Sequence, residues 1–450
     1  MSIFKDCDIR GIYGKELKED AVYRIGRALA TISGSGRFYV GGDVRVSTPQ
    51  LKAALIRGLL ESGAHVLDMG IIATPMLYFA LSRGGAENGA TVTASHNPKQ
   101  YNGVKFMLGG TPVTAGTISR VEQAVLQADF CSGEGTLERV DVKTPYLAFL
   151  LDRFAGVLKG LKVVVDAGNG AMSEIAPAAF RQAGAEVVEL YCEADGSFPN
   201  RTPNPAEYDK LTALSEAVRR ARADYGVAFD GDGDRAVFAD DNGEIVISER
   251  SFALFVRYLL RNGASPVVYD QKSSSVVKDA ILSAGGEPVM ERSGHMFIKK
   301  RFLELGARLA GEVSGHFFFG ELGYDDGLYA ALMLGKMLRD YGKKLSELLS
   351  DIVPRPITPD LRFPVPYGEM DGVLARMRGI ALDGETVSEM DGVRIEGKDG
   401  WMLVRKSVTA EQMTLRIEAK DVSELVQFAK RAMKVLPASA EECLARELPG

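Results

Sequence analysis

Two short segments of this 450-residue chain carry side chains whose types and spacing could do chemistry. Thr91–Pro98 reads TVTASHNP. Its β-branched run predicts a strand that delivers the Ser95 hydroxyl to an exposed turn, where Pro98 stops the strand. Further along, Asp230, Asp232 and Asp234 end a second β-like run and alternate with Gly231 and Gly233. Carboxylates this dense repel one another unless a cation neutralises them. Three oxygen donors suit Mg²⁺, which keeps open positions for water or phosphate. The glycines let the backbone bend so that the carboxylates converge. An EF-hand loop does not fit, because Arg235 stands at its sixth position and Asp241 at its twelfth. A group carrier beside a hard-cation site points to phosphoryl chemistry.

Other candidates are weaker taken singly. Arg235, next to the metal motif, can hold a phosphate oxygen with a bidentate fork. Ser95 lacks a GxSxG frame, and His96 is poorly placed to act as base for its own neighbour. Glu312 and Ser314 in Gly311–His316 (GEVSGH) follow an apolar strand and could bind vicinal sugar hydroxyls, with His316 alongside. His295 begins a helix, as a structural residue or an acid–base group. Lys272 follows the strand Val267–Asp270. His65 lies in a plain strand and reads as structural, and no histidine cluster has zinc-ligand spacing.

Three stretches that could position these residues share one plan. Phe38–Gly41, Lys162–Asp166 and Val267–Asp270 each begin a strand–helix–strand–helix series. Each series ends in a strand with a polar motif: TASHNP, DGDGDR or GEVSGH. Strands alternating with amphipathic helices imply mixed sheets covered on both faces, with ligands at the carboxyl ends of the strands. Boundaries fall near Thr144, near Glu249 and in Pro354–Pro366, a five-proline stretch that reads as a linker. Beyond it, strands at Val393–Ile395, Met402–Val404 and Thr414–Glu418 and a helix at Ser423–Val435 make a smaller α+β domain. The expected fold class is α/β, with three related α/β domains (1–143, 144–248, 249–360) and a C-terminal α+β domain (361–450).

A net charge of −6 and the lack of a basic stripe argue against nucleic acid as a partner. No apolar run approaches a membrane span, and the scattered Cys7, Cys131, Cys192 and Cys443 read as free thiols in a reducing compartment. The expectation is a cytoplasmic protein, monomer or homodimer, that acts on small molecules.

At this point the residues resemble a family, the α-D-phosphohexomutases, in their phosphomannomutase/phosphoglucomutase branch. The likeness runs through Cys7–Gly11, Gly41–Pro49 (GGDVRVSTP), TASHNP, Tyr101–Lys105, Val164–Ala171 (VVDAGNGA) and Pro203–Pro205. It continues in DGDGDR, Ser293–Lys300, GEVSGH and Tyr324–Gly327 (YDDG). The resemblance implies four domains around a central cleft, a phosphoserine at Ser95, and Mg²⁺ held by Ser95, Asp230, Asp232 and Asp234. It implies reversible transfer between the 1- and 6-positions of mannose or glucose phosphates. A hexose 1,6-bisphosphate serves as intermediate and activator, and it must turn over within the cleft. Ser95, Arg10, His96, Lys105 and His295 form the expected catalytic set, with Lys105 and His295 as acid–base candidates and Arg10 stabilising the moving phosphate. Arg235, Lys272, Glu312, Ser314 and His316 would bind substrate, and Arg405, Ser407 and Thr409 would grip the non-reacting phosphate.

Two departures from the family pattern are Cys7, where tyrosine is common, and Val408 in the phosphate loop. The glucosamine-phosphate branch is the nearest alternative, but Thr93, Tyr101 and Val313 differ from its pattern. A Mg²⁺-dependent sugar phosphatase and a non-catalytic sugar-phosphate sensor are the other classes.

Overall fold

The computed structural model describes residues 3–5, 8–407 and 411–447. Four sheets organise it, in chain order. The first runs Ile9–Ile12, Tyr101–Met107, Asn88–Val92, Arg37–Gly42, His65–Ile71, Thr136–Arg139 across its width. Its last four strands are parallel, and the first two form an antiparallel edge. The second sheet pairs Lys162–Asp166 in parallel with Glu186–Leu190 and Tyr225–Phe229, then adds Ala236–Ala239 and Ile245–Val246 antiparallel. The third repeats this scheme with Pro266–Asp270 between Glu287–Glu291 and Leu309–Gly311, followed by Phe317–Phe319 and Tyr324–Asp325. The fourth is wholly antiparallel, ordered Leu361–Pro364, Gln412–Ala419, Gly400–Lys406, Val393–Gly397, Thr386–Ser388.

The parallel strands are apolar because helices cover both of their faces. Val163, Val164 and Val165 are all fully buried. One large apolar cluster passes from Met76 and Phe79 through Tyr146 and Tyr225 to Phe252, Phe317 and Leu328, so it is shared by segments carrying the first three sheets. Helix Gly327–Tyr341 locks them together, since the Tyr225 hydroxyl donates to the Ala331 carbonyl at 2.8 Å. The fourth sheet has its own core around Phe363, Met402, Ile417 and Phe428. No helix among the described residues is long and apolar enough to cross a membrane.

Two expectations change. The proline-rich stretch is not all linker, because Leu361–Pro364 pairs with Gln412–Ala419 as an edge strand. Proline is tolerated there, since an edge strand leaves one row of N–H groups unused. The second helix of the second series, read from the sequence at about Ala206–Arg222, is a 3₁₀ turn, Tyr208–Lys210, followed by helix Thr212–Ala221. The Asn204 side chain accepts the Ala206 N–H at 3.2 Å, a local turn that competes with helix nucleation.

Candidate active site

A buried ion pair builds the serine turn. Asp43 and Arg45 meet at 3.1 Å with both side chains at 0% exposure. Arg45 Nη2 donates to the carbonyls of Ser95 and Asn97 at 2.7 and 2.6 Å, and Nη1 to those of Pro98 and Tyr101 at 2.9 and 3.1 Å. Asp43 also accepts from Thr93 Oγ1 at 2.7 Å, and that hydroxyl accepts the Ser95 N–H at 2.9 Å. These bonds hold Ser95 at φ +51°, in the left-handed region that a side chain disfavours by about 1–2 kcal/mol.

A matching device holds the metal loop. Arg201 Nε donates to Asp166 at 2.8 Å and Nη2 to the Phe229 carbonyl at 2.7 Å, just before Asp230. The two loops touch through Gly231, where a Cβ would stand 2.6 Å from the Ser95 carbonyl oxygen. The glycine that separates the carboxylates is therefore also the one that lets the loops meet.

At this junction Ser95 Oγ donates to Asp230 Oδ2 at 2.8 Å. One oxygen from each of Asp230, Asp232 and Asp234 lies within 4.8 Å of the others, and all three residues are fully buried. Lys105 Nζ reaches Asp232 Oδ2 at 2.8 Å and Asp234 Oδ2 at 2.6 Å. Thr74 Oγ1 donates to Asp232 Oδ2 at 2.6 Å. Asp232 Oδ1 and Asp234 Oδ1 are buried without a hydrogen-bond partner. Unpaired carboxylate oxygens at this depth are costly, and a hard cation is the group that satisfies them. The residues present fit Mg²⁺.

Electrostatics follows from the crowding. Burial, then Asp234 and Asp232, push the Asp230 carboxyl well above the usual range. Burial opposes ionisation of Asp232 too, but Lys105 outweighs it and lowers that carboxyl. Burial likewise works against the Lys105 ammonium, yet Asp232 and Asp234 hold it well above its ordinary value. In this arrangement the Lys105 ammonium is paired with two carboxylates of the cluster. His96, 3.3 Å from Ser95 Oγ, is driven well below its ordinary pKa by burial and by Arg235, Arg10 and Lys105. It stands as a neutral ring.

A cavity of about 440 Å³ opens over this centre, lined by Arg10, Ser95, His96, Lys105, Arg235, Lys272, His295, Glu312, Ser314, His316 and Arg405. The three aspartates lie beneath it. Arg10 Nη1 donates to Asn97 Oδ1 at 2.6 Å, Arg10 also pairs with Asp8, and its Nε is buried and unpaired. Ser314 Oγ donates to Glu312 Oε2 at 3.0 Å, leaving Glu312 Oε1 buried and unpaired. Arg235 Nε donates to His316 Nε2 at 2.9 Å. Lys272 meets Asp360 at 2.8 Å, and Arg405 meets Asp391 at 2.5 Å. Arg405 is the penultimate residue of strand Gly400–Lys406, which runs two residues further at this end than the Met402–Val404 read from the sequence. Ser407 N–H donates to the Gln412 carbonyl at 2.9 Å where the following loop begins. Thr409, with Val408 and Cys7, lies outside the described residues. His65 is away from the cavity, paired with Thr136 on a neighbouring strand.

Family models for phosphoglucomutase/phosphomannomutase alpha/beta/alpha domains I, II and III match residues 1–131, 145–243 and 248–355. The chain belongs to the phosphoglucomutase/phosphomannomutase family. It is 38% identical to the phosphomannomutase/phosphoglucomutase of Pseudomonas aeruginosa PAO1, over 94% of this chain and 93% of that one. It is 37% identical to a phosphoglucomutase of Neisseria gonorrhoeae, with 96% of each chain covered. A solved family member from Burkholderia thailandensis superposes with a TM-score of 0.90 at 35% identity, over 97% of both chains. The chain is thus an enzyme of the hexose-phosphate mutase class.

Apart from Ser407 and Thr409, the residues expected from the sequence line or underlie the cavity, but the residues that support them were not expected. Asp43, Arg45, Thr74, Asp166 and Arg201 were not assigned roles, nor were Tyr78, Lys299, Asp325, Asp360 and Asp391. For Asp43, Arg45 and Asp325 a signal was present, since GGDVRVSTP and YDDG stand out as motifs.

Proposed function

We propose that the chain interconverts the 1- and 6-phosphates of mannose and of glucose through a phosphate carried on Ser95. The observation that carries this reading is the junction of the loops, with Ser95 Oγ 2.8 Å from Asp230 inside a carboxylate cluster that has unpaired oxygens. In the first step the bond from phosphorus to Ser95 Oγ breaks, and one forms to the free hydroxyl oxygen of the sugar phosphate. The hydroxyl proton passes to a cleft base, for which His295 is the candidate, and an equivalent proton is returned to the departing Ser95 Oγ, which is left as a free hydroxyl. The hexose 1,6-bisphosphate then turns over, and its other phosphate returns to Ser95.

Asp230, Asp232 and Asp234, with the Ser95 phosphate, would hold Mg²⁺, which supplies charge stabilisation to the moving phosphoryl group. Binding it there would free Lys105 from two carboxylates. Arg10 and Arg235 offer donors to phosphoryl oxygens, and neutral His96 packs beside the serine without adding charge. Glu312 Oε1 is an unused acceptor for a sugar hydroxyl, with Ser314 and His316 beside it. Lys272, Arg405, Ser407 and Thr409 would take the non-reacting phosphate. Each of the four sheets falls inside one of the spans 1–143, 144–248, 249–360 and 361–450, which supports these as the domains. On this reading the protein works as a cytoplasmic monomer or homodimer on small-molecule hexose phosphates.

A coupled assay with mannose 1-phosphate, glucose 1-phosphate and glucosamine 1-phosphate tests this. Turnover of the first two to 6-phosphates is expected. Preference for the glucosamine ester, or release of inorganic phosphate in place of isomerisation, would overturn it.

A further inference from the structure

Deep to the cavity, one carboxylate serves two of its rings. Asp325 lies on the short strand Tyr324–Asp325, opposite Phe318 of Phe317–Phe319. His316 is two residues before Phe318, so it shares that face of the sheet. Helix His295–Leu305 packs on the same face, with the His295 ring 4.9 Å from that of His316 and 5.2 Å from that of Phe318. The Asp325 carboxylate, at 0% exposure, receives His295 Nε2 at 2.9 Å on Oδ1 and His316 Nδ1 at 2.7 Å on Oδ2. Lys299, one helical turn beyond His295, closes the cluster with its Nζ 3.5 Å over the Tyr78 ring, and Tyr78 stacks on His295.

An ionised carboxylate only accepts hydrogen bonds. The buried Asp325 carboxylate has one ring nitrogen at hydrogen-bond distance from each of its two oxygens. Each ring must therefore present an N–H to it. For His316 this leaves Nε2 as the lone-pair nitrogen, and Arg235 Nε donates to that atom. The guanidinium of Arg235 is thereby held by one edge. For His295 it leaves Nδ1 without a hydrogen bond among the described residues, on a side chain that is 27% exposed and lines the cavity.

We propose that Asp325 is a positioning residue of the transfer centre, which fixes His316 in its Nδ1–H form to orient Arg235 and fixes His295 in its Nε2–H form to present Nδ1 as an acceptor. This rests on the mutase reading for its consequence in turnover but not for its geometry. Asparagine in place of Asp325 brings one donor and one acceptor. It can receive only one of the two rings and must turn the other, which either breaks the bond from Arg235 or blocks His295 Nδ1.

Long-range ¹⁵N–¹H spectra of histidine-labelled protein at neutral pH report each tautomer directly. His65, His96, His295 and His316 are assigned through single His→Gln variants. The wild type should show His316 as Nδ1–H and His295 as Nε2–H, and Asp325→Asn should convert one of them. Asp325→Asn should also lower kcat by about 10–100-fold, as loss of an orienting partner does, while melting stays cooperative. His316 in the Nε2–H form, unchanged tautomers in the variant, or kcat within about twofold of wild type would each overturn the proposal. Should the variant fail to fold, the wild-type tautomers alone decide. They need no substrate, so a wild-type protein without mutase activity would sink the functional reading and leave this one standing.

Discussion

The proposed transfer centre and the proposed phosphate grip both use Asp–Arg or Asp–Lys pairs, but at different depths. Asp43–Arg45 and Asp166–Arg201 are almost completely shielded, and each arginine spends its fork on backbone carbonyls of a catalytic loop. Arg405 and Lys272 line the cavity, and their pairs with Asp391 and Asp360 have side chains 15–28% exposed. Arg405 Nε remains buried and unpaired. Inner pairs of this kind are structural. They cannot be exchanged for a ligand without dismantling the loop, and removing one partner strands a charge. Outer pairs of this kind are exchangeable, because a phosphate can replace the carboxylate. The fixed pairs suit a centre where atoms must align. On the proposed mechanism, the exchangeable ones suit a surface that has to accept a bisphosphate in two orientations.

The largest effect should come from the carboxylate cluster. Asp232→Asn should lower turnover by about 10³-fold, equivalent to about 4 kcal/mol of barrier, and chelation should abolish it until Mg²⁺ is restored. Activity that survives a strong chelator would remove the metal from the account. Next, Arg45→Met should destabilise the fold by about 3–5 kcal/mol in urea unfolding, because Asp43 is left buried and unpaired. A comparable loss from Arg405→Met would erase the distinction between the two kinds of pair. Arg405→Met should instead raise KM for every hexose phosphate by roughly 10–100-fold, from the loss of about 1.5–3 kcal/mol of charge-assisted bonding.

The outer pairs also make a smaller, pH-dependent prediction. Burial opposes ionisation of Asp360, but Lys272 and Arg416 lower its carboxyl. A depressed carboxyl stabilises above its unfolded value of about 3.9, and that contribution is lost as pH falls through the lower folded value. The stability gap between wild type and Asp360→Asn should therefore be present at neutral pH and close in acid. A gap that widens in acid would contradict the assignment. The exposed pair Lys406–Asp371 is expected to contribute least, with Lys406→Ala changing unfolding free energy by less than about 1 kcal/mol.

The parallel strands were legible because Lys162–Asp166 and Pro266–Asp270 are short apolar runs bounded by turn residues. The antiparallel additions were not. Ile245–Val246 and Tyr324–Asp325 are too short to show a period, and Ile9–Ile12 is interrupted by Arg10 and Gly11. Ser95 and the aspartates were legible because their chemistry is local to a few residues. The role of Arg45 was not, although its motif stood out, because its work depends on carbonyls about 50 residues away, which only folding brings together. Asp325 hid for the same reason, since its two histidines come from a helix and a strand.

The account stands on Ser95 as the group carrier, and mass spectrometry tests this most directly. Purified enzyme incubated with glucose 1,6-bisphosphate should gain a single phosphate, mapped by peptide fragmentation to Ser95. That phosphate should be discharged onto glucose 1-phosphate or mannose 1-phosphate, and Ser95→Ala should show neither the mass gain nor turnover. A Ser95→Ala protein that keeps more than about a tenth of the wild-type rate would contradict the account, since covalent relay is expected to lower the barrier by many times the roughly 1.4 kcal/mol such a rate implies.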